Sequence, residues 1–373
     1  MVKILANPST ITGKIIAPSS KSYTHRALAV GLLSKGKSTI NNPLTSLDTN
    51  ATIESCIALG AEIEQTESRI NIKSEGTPIA PKEEIDVKNS GTTIRLMTSI
   101  AALAKEGEIV LSGDSSIIKR PIAPLLESLK DLGVDCTAMN GNPPVTIKAG
   151  GIKGGITTID GSKSSQFISS LLIACPKAEK STIIKTKGEI VSEPYIQATK
   201  VVVEKFGTKI EQKNNAFHIK KTDYIPTTIN IPSDYSSIAF LLAAGAITEG
   251  DLKIEINNEN NFPQADSEII KIMTKMNIKT ELEKNRITVK NSENILGGEF
   301  NLSKCPDLLP VVSILAMKAK TSTKITGVAH ARFKETDRLS VLNEELSKAG
   351  AKISEREDGL ILNPPKNIRK CNF

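Results

Sequence analysis

Five breaks of one kind recur along this chain at almost constant spacing. Each stands where a helix gives way to a strand: Gly60 (Leu-Gly-Ala-Glu-Ile), Gly133 (Leu-Gly-Val-Asp-Cys), Gly207 (Phe-Gly-Thr-Lys-Ile), Asn277 (Met-Asn-Ile-Lys-Thr) and Gly350 (Ala-Gly-Ala-Lys-Ile). Successive breaks are 73, 74, 70 and 73 residues apart. Upstream of each lies a polar turn followed by β-branched residues, as in Lys37-Ser-Thr-Ile40, Gly107-Glu-Ile-Val110 and Lys180-Ser-Thr-Ile-Ile184. A long fixed period means one supersecondary unit used repeatedly, with each copy burying its sheet face against its neighbours.

The first copy can be read in detail. A strand is expected over 11–17, then a turn at Pro18-Ser19-Ser20-Lys21-Ser22, then a helix through Ala27 and Leu32 that stops at Gly36. Ser38-Thr39-Ile40 opens a strand. Residues 48–59 read as a second helix, with Ile53, Cys56, Ile57 and Leu59 at helical spacing and Gly60 at the position after the cap. Residues 61–64 and 68–72 alternate as a hairpin. The order βαβαββ can be followed again from Ile85, Ile156, Ile229 and Phe300. The weakest stretch of pattern, 221–226, predicts a boundary, so 18–226 reads as one domain of three units. Residues 1–17 with 227–373 read as a second, split domain.

Composition narrows the class. Hydrophobic residues make up 39% of 373, with no Trp and 3% aromatics, so the core must be aliphatic. No apolar run approaches the roughly 18 residues of a membrane span, and the mean hydropathy is -0.13. Residues 1–16 lack the apolar stretch of a signal peptide, so cytoplasmic residence is expected. The five cysteines (56, 136, 175, 305, 371) are scattered, which predicts reduced thiols used as apolar filler and no metal set. The net charge of +7 suits either nucleic acid or a small polyanion. Dispersed lysines and scarce aromatics argue against nucleic acid.

The chemistry-bearing segments sit at helix starts. Lys21, Ser22 and Arg26 lie in Pro18-Ser-Ser-Lys-Ser-Tyr-Thr-His-Arg-Ala27, where free N–H groups and the helix dipole favour an anion. Asn89-Ser90-Gly91-Thr92-Thr93-Ile-Arg95 repeats the arrangement, with Gly91 permitting close backbone approach. Lys119-Arg120 precedes a helix read as starting at Pro121. Ser162-Lys-Ser164-Ser165-Gln166 and Ser192-Glu-Pro-Tyr195 stand at the two helix starts of the third unit. Taken singly, each reads as well as an ordinary cap. Their recurrence at equivalent repeat positions suggests donors converging on a phosphate or carboxylate. The second half adds acids: Asp307, read as an N-cap, and Arg332-Phe-Lys334-Glu335-Thr-Asp337-Arg338, read as a charged helix start suited to anion binding and proton transfer.

Together with Asp234-Tyr-Ser-Ser237, these motifs resemble, in order and over essentially the whole chain, the 5-enolpyruvylshikimate-3-phosphate synthase family. The resemblance implies an α/β fold of two domains, the inside-out α/β barrel of enolpyruvyl transferases, with three βαβαββ units in each domain and the N-terminal strand completing the second. It implies a cleft that closes on two small-molecule substrates, 3-phosphoshikimate and phosphoenolpyruvate, with no metal or organic cofactor, no nucleic acid or membrane partner, and a monomeric state. It implies that Lys21, Ser22, Arg26, Ser164, Ser165, Gln166, Ser192, Tyr195, Asp307, His330 and Lys334 bind 3-phosphoshikimate. Lys21, Gly91, Thr92, Arg120, Gln166 and Arg338 would bind phosphoenolpyruvate. Asp307 would accept the proton of the 5-hydroxyl, Glu335 would deliver one to the methylene carbon, and Lys21 would serve both substrates.

Two departures bear on these expectations. Ile118 occupies a position where many members carry Arg. The family also continues past Asp358-Gly-Leu through a sixth unit bearing an Asp-His-Arg motif and a later Lys for phosphoenolpyruvate, whereas this chain stops at Cys371-Asn-Phe373. Only five of six units are therefore expected, with a binding remnant without turnover as the alternative. Two other readings compete. A UDP-N-acetylglucosamine enolpyruvyl transferase would need a loop Cys within 113–120, where this chain has none. An RNA 3′-phosphate cyclase-like protein would need a nucleophilic His and a more basic surface.

Overall fold

The computed structural model describes residue 7 and residues 9–257 and 262–372. The first six residues and residue 8, part of the stretch read for a leader, lie outside the described residues, as does Phe373. No helix among the described residues is long and apolar enough to cross a membrane.

The elements in chain order are β1 (Gly13–Ile16), α1 (Lys21–Leu32), β2 (Lys35–Asn41), α2 (Leu47–Ala58), β3 (Glu62–Gln65) and β4 (Arg69–Glu75). Next come β5 (Ile85–Asp86), α3 (Gly91–Ala101), β6 (Glu108–Ser112), α4 (Ala123–Asp131), β7 (Asp135–Met139) and β8 (Asn142–Lys148). The third set is β9 (Gly155–Asp160), α5 (Ser165–Ala174), β10 (Thr182–Lys187), α6 (Glu193–Lys205), β11 (Ile210–Lys213) and β12 (Ala216–Ile219). The fourth is β13 (Thr228–Asn230), α7 (Tyr235–Ile247), β14 (Asp251–Glu255), α8 (Ile269–Lys275), β15 (Thr280–Glu283) and β16 (Arg286–Lys290). The fifth is β17 (Glu299–Asn301), α9 (Leu309–Met317), β18 (Thr323–Thr326), α10 (Arg338–Lys348), β19 (Lys352–Arg356) and β20 (Gly359–Asn363).

The repeat shows itself in hydrogen bonds. All five breaks have left-handed φ, at 101° (Gly60), 85° (Gly133), 85° (Gly207), 62° (Asn277) and 102° (Gly350). At each, two backbone bonds close the preceding helix in the same way. Gly60 N–H donates to Ile57 and Ala61 N–H to Cys56, and the pairs at Gly133/Val134 and Gly350/Ala351 match them. This is the Schellman closure, and it requires a residue that tolerates the left-handed region. Asn277 does so at lower cost than most side chains, and its amide also donates to the Asn294 carbonyl at 3.0 Å.

The described residues form five four-stranded sheets, three in one compact unit (19–232 with 262–264) and two in another (residues up to 18, 233–257 and 265–372). In each sheet two parallel strands are followed by an antiparallel hairpin, as in β9∥β10 with β10, β12 and β11. One expectation is corrected here. Ile229 does not open the fourth unit, because β13 pairs in parallel with β2 and closes the first sheet. The strand that opens the fourth sheet is β1, paired in parallel with β14. The two opening strands are thus exchanged. They precede equivalent turns, so periodicity alone cannot assign them.

Core placement follows from composition. In the larger unit α1, α3 and α5 are buried almost all round, with Thr92 and Gln166 among the few positions not enclosed. Their buried positions include polar and charged residues, Thr24, His25, Arg26, Thr93, Arg95 and Ser169, as well as aliphatic ones, and strands such as β4 alternate buried and open positions. All five cysteines are free thiols, four of them buried.

Candidate active site

In the larger unit the expected residues gather at helix starts. Ser20 takes the cap backbone of α1, yet its side chain makes no cap bond. Lys21 extends from the first turn to Asp48 on α2, Nζ to Oδ2 at 2.7 Å. Ser22 offers its carbonyl to Arg26 Nη1 at 2.9 Å. Arg26 is enclosed. Its Nε donates to Thr199 Oγ1 at 2.7 Å, and its Nη2 donates to the Tyr195 carbonyl at 3.1 Å and to Ser169 Oγ at 3.4 Å. Burial pulls its pKa down to about 10, still far above neutrality. One guanidinium therefore links α1, α5 and the first turn of α6, which carries Tyr195.

A second group forms around α3. Ser90 caps it at Thr93 N–H, and Ser164 caps α5 at Gln166 N–H. Gln166 Nε2 donates to Thr92 Oγ1 at 3.2 Å, while its Oε1 accepts a short bond from Arg95 Nη1. Arg95 also lies over the Phe167 ring at 5.3 Å. Burial, then the nearby Arg120, lower its pKa to about 10. Asp114 organises the turn that presents Arg120, its Oδ1 accepting from Ser116 N–H, Ser116 Oγ and Ile117 N–H. Arg120 Nε is buried without a partner among the described residues. A methyl on Gly91 would lie 2.2 Å from Arg120 Nη1 and 3.6 Å from Arg95 Nη1. Two guanidiniums thus converge over Gly91, and the Arg120 guanidinium occupies the space a Cβ there would take.

Some sequence readings need adjustment. The helix expected from Pro121 begins at Ala123. Within the segment 162–166 the cap of α5 is Ser164, while the Ser162 hydroxyl goes to Asp160 at 2.6 Å. Ser165 is buried, Ser192 holds a left-handed φ of 53° before α6, and Lys119 and Ile118 are exposed.

The smaller unit gathers the acids. Asp307 does not cap α9, the plainer of the two readings its place in the sequence allows. It lies inside a 3-10 turn, Pro306–Leu308, ahead of α9. Its Oδ1 accepts from Arg338 Nη1 at 2.8 Å and lies 4.0 Å from Lys334 Nζ. Arg338 also grips Glu335, Nε to Oε1 at 2.8 Å and Nη2 to Oε2 at 3.2 Å. Burial opposes the Arg338 charge, but Asp307 and Glu335 outweigh it and hold it firmly protonated. Lys334 and Glu335 precede the helix rather than starting it, because Asp337 is the cap and Arg338 the first residue of α10. His330 Nε2 is buried without a partner among the described residues. Burial, then Lys334, push its pKa down to about 4, so it is neutral at pH 7.

Three residues of these clusters receive no role from the sequence. Asp48 is visible only once α2 is set beside α1. Arg95 follows a helix start much as Arg26 does, and that parallel was the available signal. Asp266, buried and hydrogen-bonded by Ser236 Oγ, stands near Asp307. Burial, then the Asp307 charge, raise its pKa to about 7. Among the described residues no set of three His, Cys, Asp or Glu side chains is placed to hold a metal ion.

His25 supplies a pH prediction. Its Nδ1 is 2.6 Å from Thr52 Oγ1, which is 2.7 Å from Thr93 Oγ1, and Nε2 is buried without a partner among the described residues. Burial, then Lys21, lower its pKa from 6.5 to about 3. Below pH 6.5 the unfolded chain takes a proton that the native state refuses. Stability contributed by this site is therefore complete above pH 6.5 and is lost as pH falls toward 3. Urea unfolding from pH 7 to pH 4 should show this loss, and His25→Asn should flatten it. An equally steep loss in the variant would remove His25 as its cause.

Comparisons with known proteins bear on the chain as a whole. A family model described as EPSP synthase (3-phosphoshikimate 1-carboxyvinyltransferase) matches residues 5–372. A 3-phosphoshikimate 1-carboxyvinyltransferase of Nitrosopumilus maritimus is 42% identical over 371 residues, 98% of this chain and 87% of the relative. That of Methanococcoides burtonii is 43% identical over 369 residues, 97% of this chain and 85% of the relative. Among solved structures, an EPSP synthase from Acinetobacter baumannii superposes with a TM-score of 0.79 at 27% identity, covering 98% of this chain and 84% of that one. The enolpyruvyl transferase NikO from Streptomyces tendae shares the fold, with a TM-score of 0.74 at 14% identity over 95% of this chain and 83% of that one.

Proposed function

The chain belongs to the EPSP synthase family, and from that premise we propose how its residues divide the work. The reaction is transfer of the enolpyruvyl group of phosphoenolpyruvate to the 5-hydroxyl of 3-phosphoshikimate, with release of phosphate, a step of the shikimate pathway toward aromatic amino acids. This membership replaces the two competing readings, the UDP-N-acetylglucosamine transferase and the RNA cyclase-like protein.

Both substrates are polyanions, so their mutual repulsion must be offset before bonds change. In the larger unit, Arg26 with Ser22, Ser164, Ser165, Ser192 and Tyr195 takes 3-phosphoshikimate. Arg120, Gly91 and Thr92 take phosphoenolpyruvate. Gln166 and Lys21 serve both. Arg95 holds the Gln166 amide oxygen, which aims the amide nitrogen. The observation that carries this reading is the convergence of Arg95 and Arg120 over Gly91, a concentration of positive charge suited to an anion.

In the smaller unit Asp307 accepts the proton of the 5-hydroxyl as its oxygen attacks the enol carbon. Glu335, bearing a proton at that stage, delivers it to the methylene carbon, giving a tetrahedral adduct. In the second step the Glu335 carboxylate takes a proton back from the methyl group so formed, the C–O bond to phosphate breaks, and the double bond is restored. Lys334 and His330 contact 3-phosphoshikimate, and Arg338 binds phosphoenolpyruvate while orienting both carboxylates. The protein works as a monomer in the cytoplasm, without a metal, organic cofactor, nucleic acid or membrane partner.

Phosphate release from 3-phosphoshikimate plus phosphoenolpyruvate tests the assignment. Release should require both substrates together and should persist after exhaustive chelation. Release from phosphoenolpyruvate alone, or none with both, would overturn it.

A further inference from the structure

The segment carrying Lys334, Glu335 and Arg338 has little packing of its own. Between buried Ala331 and buried Leu339 none of the side chains is buried, and Phe333 is 66% exposed. A catalytic segment must nevertheless hold its groups within a fraction of an ångström. Arg332 supplies what packing does not. Its Nη1 donates to Asp337 Oδ2 at 2.8 Å and to Glu355 Oε1 at 2.7 Å. Its Nη2 donates to the Arg356 carbonyl at 2.7 Å, and its Nε donates to the Glu357 carbonyl at 3.1 Å.

Each acceptor is itself anchored. The other Asp337 oxygen caps α10, accepting from Leu339 N–H and Ser340 N–H at 3.1 Å. Glu355 lies on β19 and accepts from Asn343 of α10 at 3.4 Å. The carbonyls belong to the turn from β19 into β20. Residues 333–337 are thereby closed into a short loop, pinned at both ends to the helix start and the hairpin.

We infer that Arg332 is a positioning residue for the enolpyruvyl transfer: its guanidinium fixes the loop that presents Lys334, Glu335 and Arg338, without touching either substrate. The inference rests on the roles given to those three residues under the proposed function. Planarity is central, because one fork reaches two carboxylates and two carbonyls, whereas the ammonium of Lys has three donors on a flexible stem.

The test uses the full chain with Arg332→Gln, Arg332→Lys, Asp337→Asn and the double variant Arg332→Gln/Asp337→Asn. Asn is a good cap, so Asp337→Asn weakens the pair while leaving α10 capped. Arg332→Gln should lower kcat about ten- to hundredfold, with both KM values changed less than about threefold, and Arg332→Lys should recover only part of the loss. The double variant should resemble the worse single one, since both break one interaction. Hydrogen exchange, which needs no turnover, should accelerate at 333–340 in Arg332→Gln and hardly elsewhere.

A kcat per folded molecule equal to wild type would overturn the inference, as would a raised KM with kcat intact. Unchanged exchange at 333–340 would overturn it whether or not the wild-type chain turns over. Failure of the functional reading itself appears separately, as absence of phosphate release from wild type.

Discussion

Asp307→Asn lowers kcat by about 10²- to 10⁴-fold, the range a well-placed general base contributes, and leaves 3-phosphoshikimate binding within a few fold. The 3-10 turn Pro306–Leu308 keeps the carboxylate out of the cap position and turns it toward Arg338 and Lys334. Asparagine preserves shape and can still accept from Arg338, but it cannot take a proton from a hydroxyl. Stability falls much less, by about 1–3 kcal/mol for a weakened charged hydrogen bond, because Arg338 retains Glu335. Rapid-quench phosphate release with both substrates, beside calorimetric titration of 3-phosphoshikimate alone, separates the two effects. A kcat within tenfold of wild type would sink the assignment of Asp307 as base.

Arg120→Ala should lower kcat/KM for phosphoenolpyruvate by about 30- to 1,000-fold, corresponding to the ~2–4 kcal/mol of a desolvated charge-assisted contact. Binding of 3-phosphoshikimate should stay within about threefold, because the Arg26 cluster uses other elements, α1, α5 and α6. Gly91→Ala is the milder relative of the same change. Its new methyl meets the flexible end of Arg120 at 2.2 Å, so the guanidinium must swing aside while its charge is kept. Its loss should fall on KM for phosphoenolpyruvate and be about tenfold smaller than that of Arg120→Ala. Equal losses for both substrates in Arg120→Ala would show that the residue supports the fold rather than one ligand.

The sequence exposed those features whose chemistry is local. A left-handed residue after a helix admits few side chains, so Gly60, Gly133, Gly207, Asn277 and Gly350 are visible from residue type and spacing alone. Serines and Gly91 at helix starts are visible for the same reason. Arg95 is different, since its role depends on Gln166, which lies on another helix 71 residues later. Pro-Asp before an apolar run reads equally well as an ordinary cap, and only the fold, which sets Asp307 in a 3-10 turn beside Arg338, separates the two readings. Arg332 stands in plain view within a charged run, but three of its four acceptors follow it by 23 to 25 residues, beyond α10.

The exchange of opening strands sets a schedule for synthesis. β1 emerges first from the ribosome, yet its partner β14 begins at Asp251, and at roughly 5–20 residues per second the wait is on the order of ten to fifty seconds. The first sheet waits in the same way for Thr228, the opening residue of β13. During that interval α1, β2, α2 and the β3–β4 hairpin are already made, but the outer edge of β2 is unpaired, and open strand edges invite association with other chains. The first sheet is therefore completed only as residues 228–230 emerge, and the sheet opened by β1 only once β14, β15 and β16 (residues 251–290) have followed.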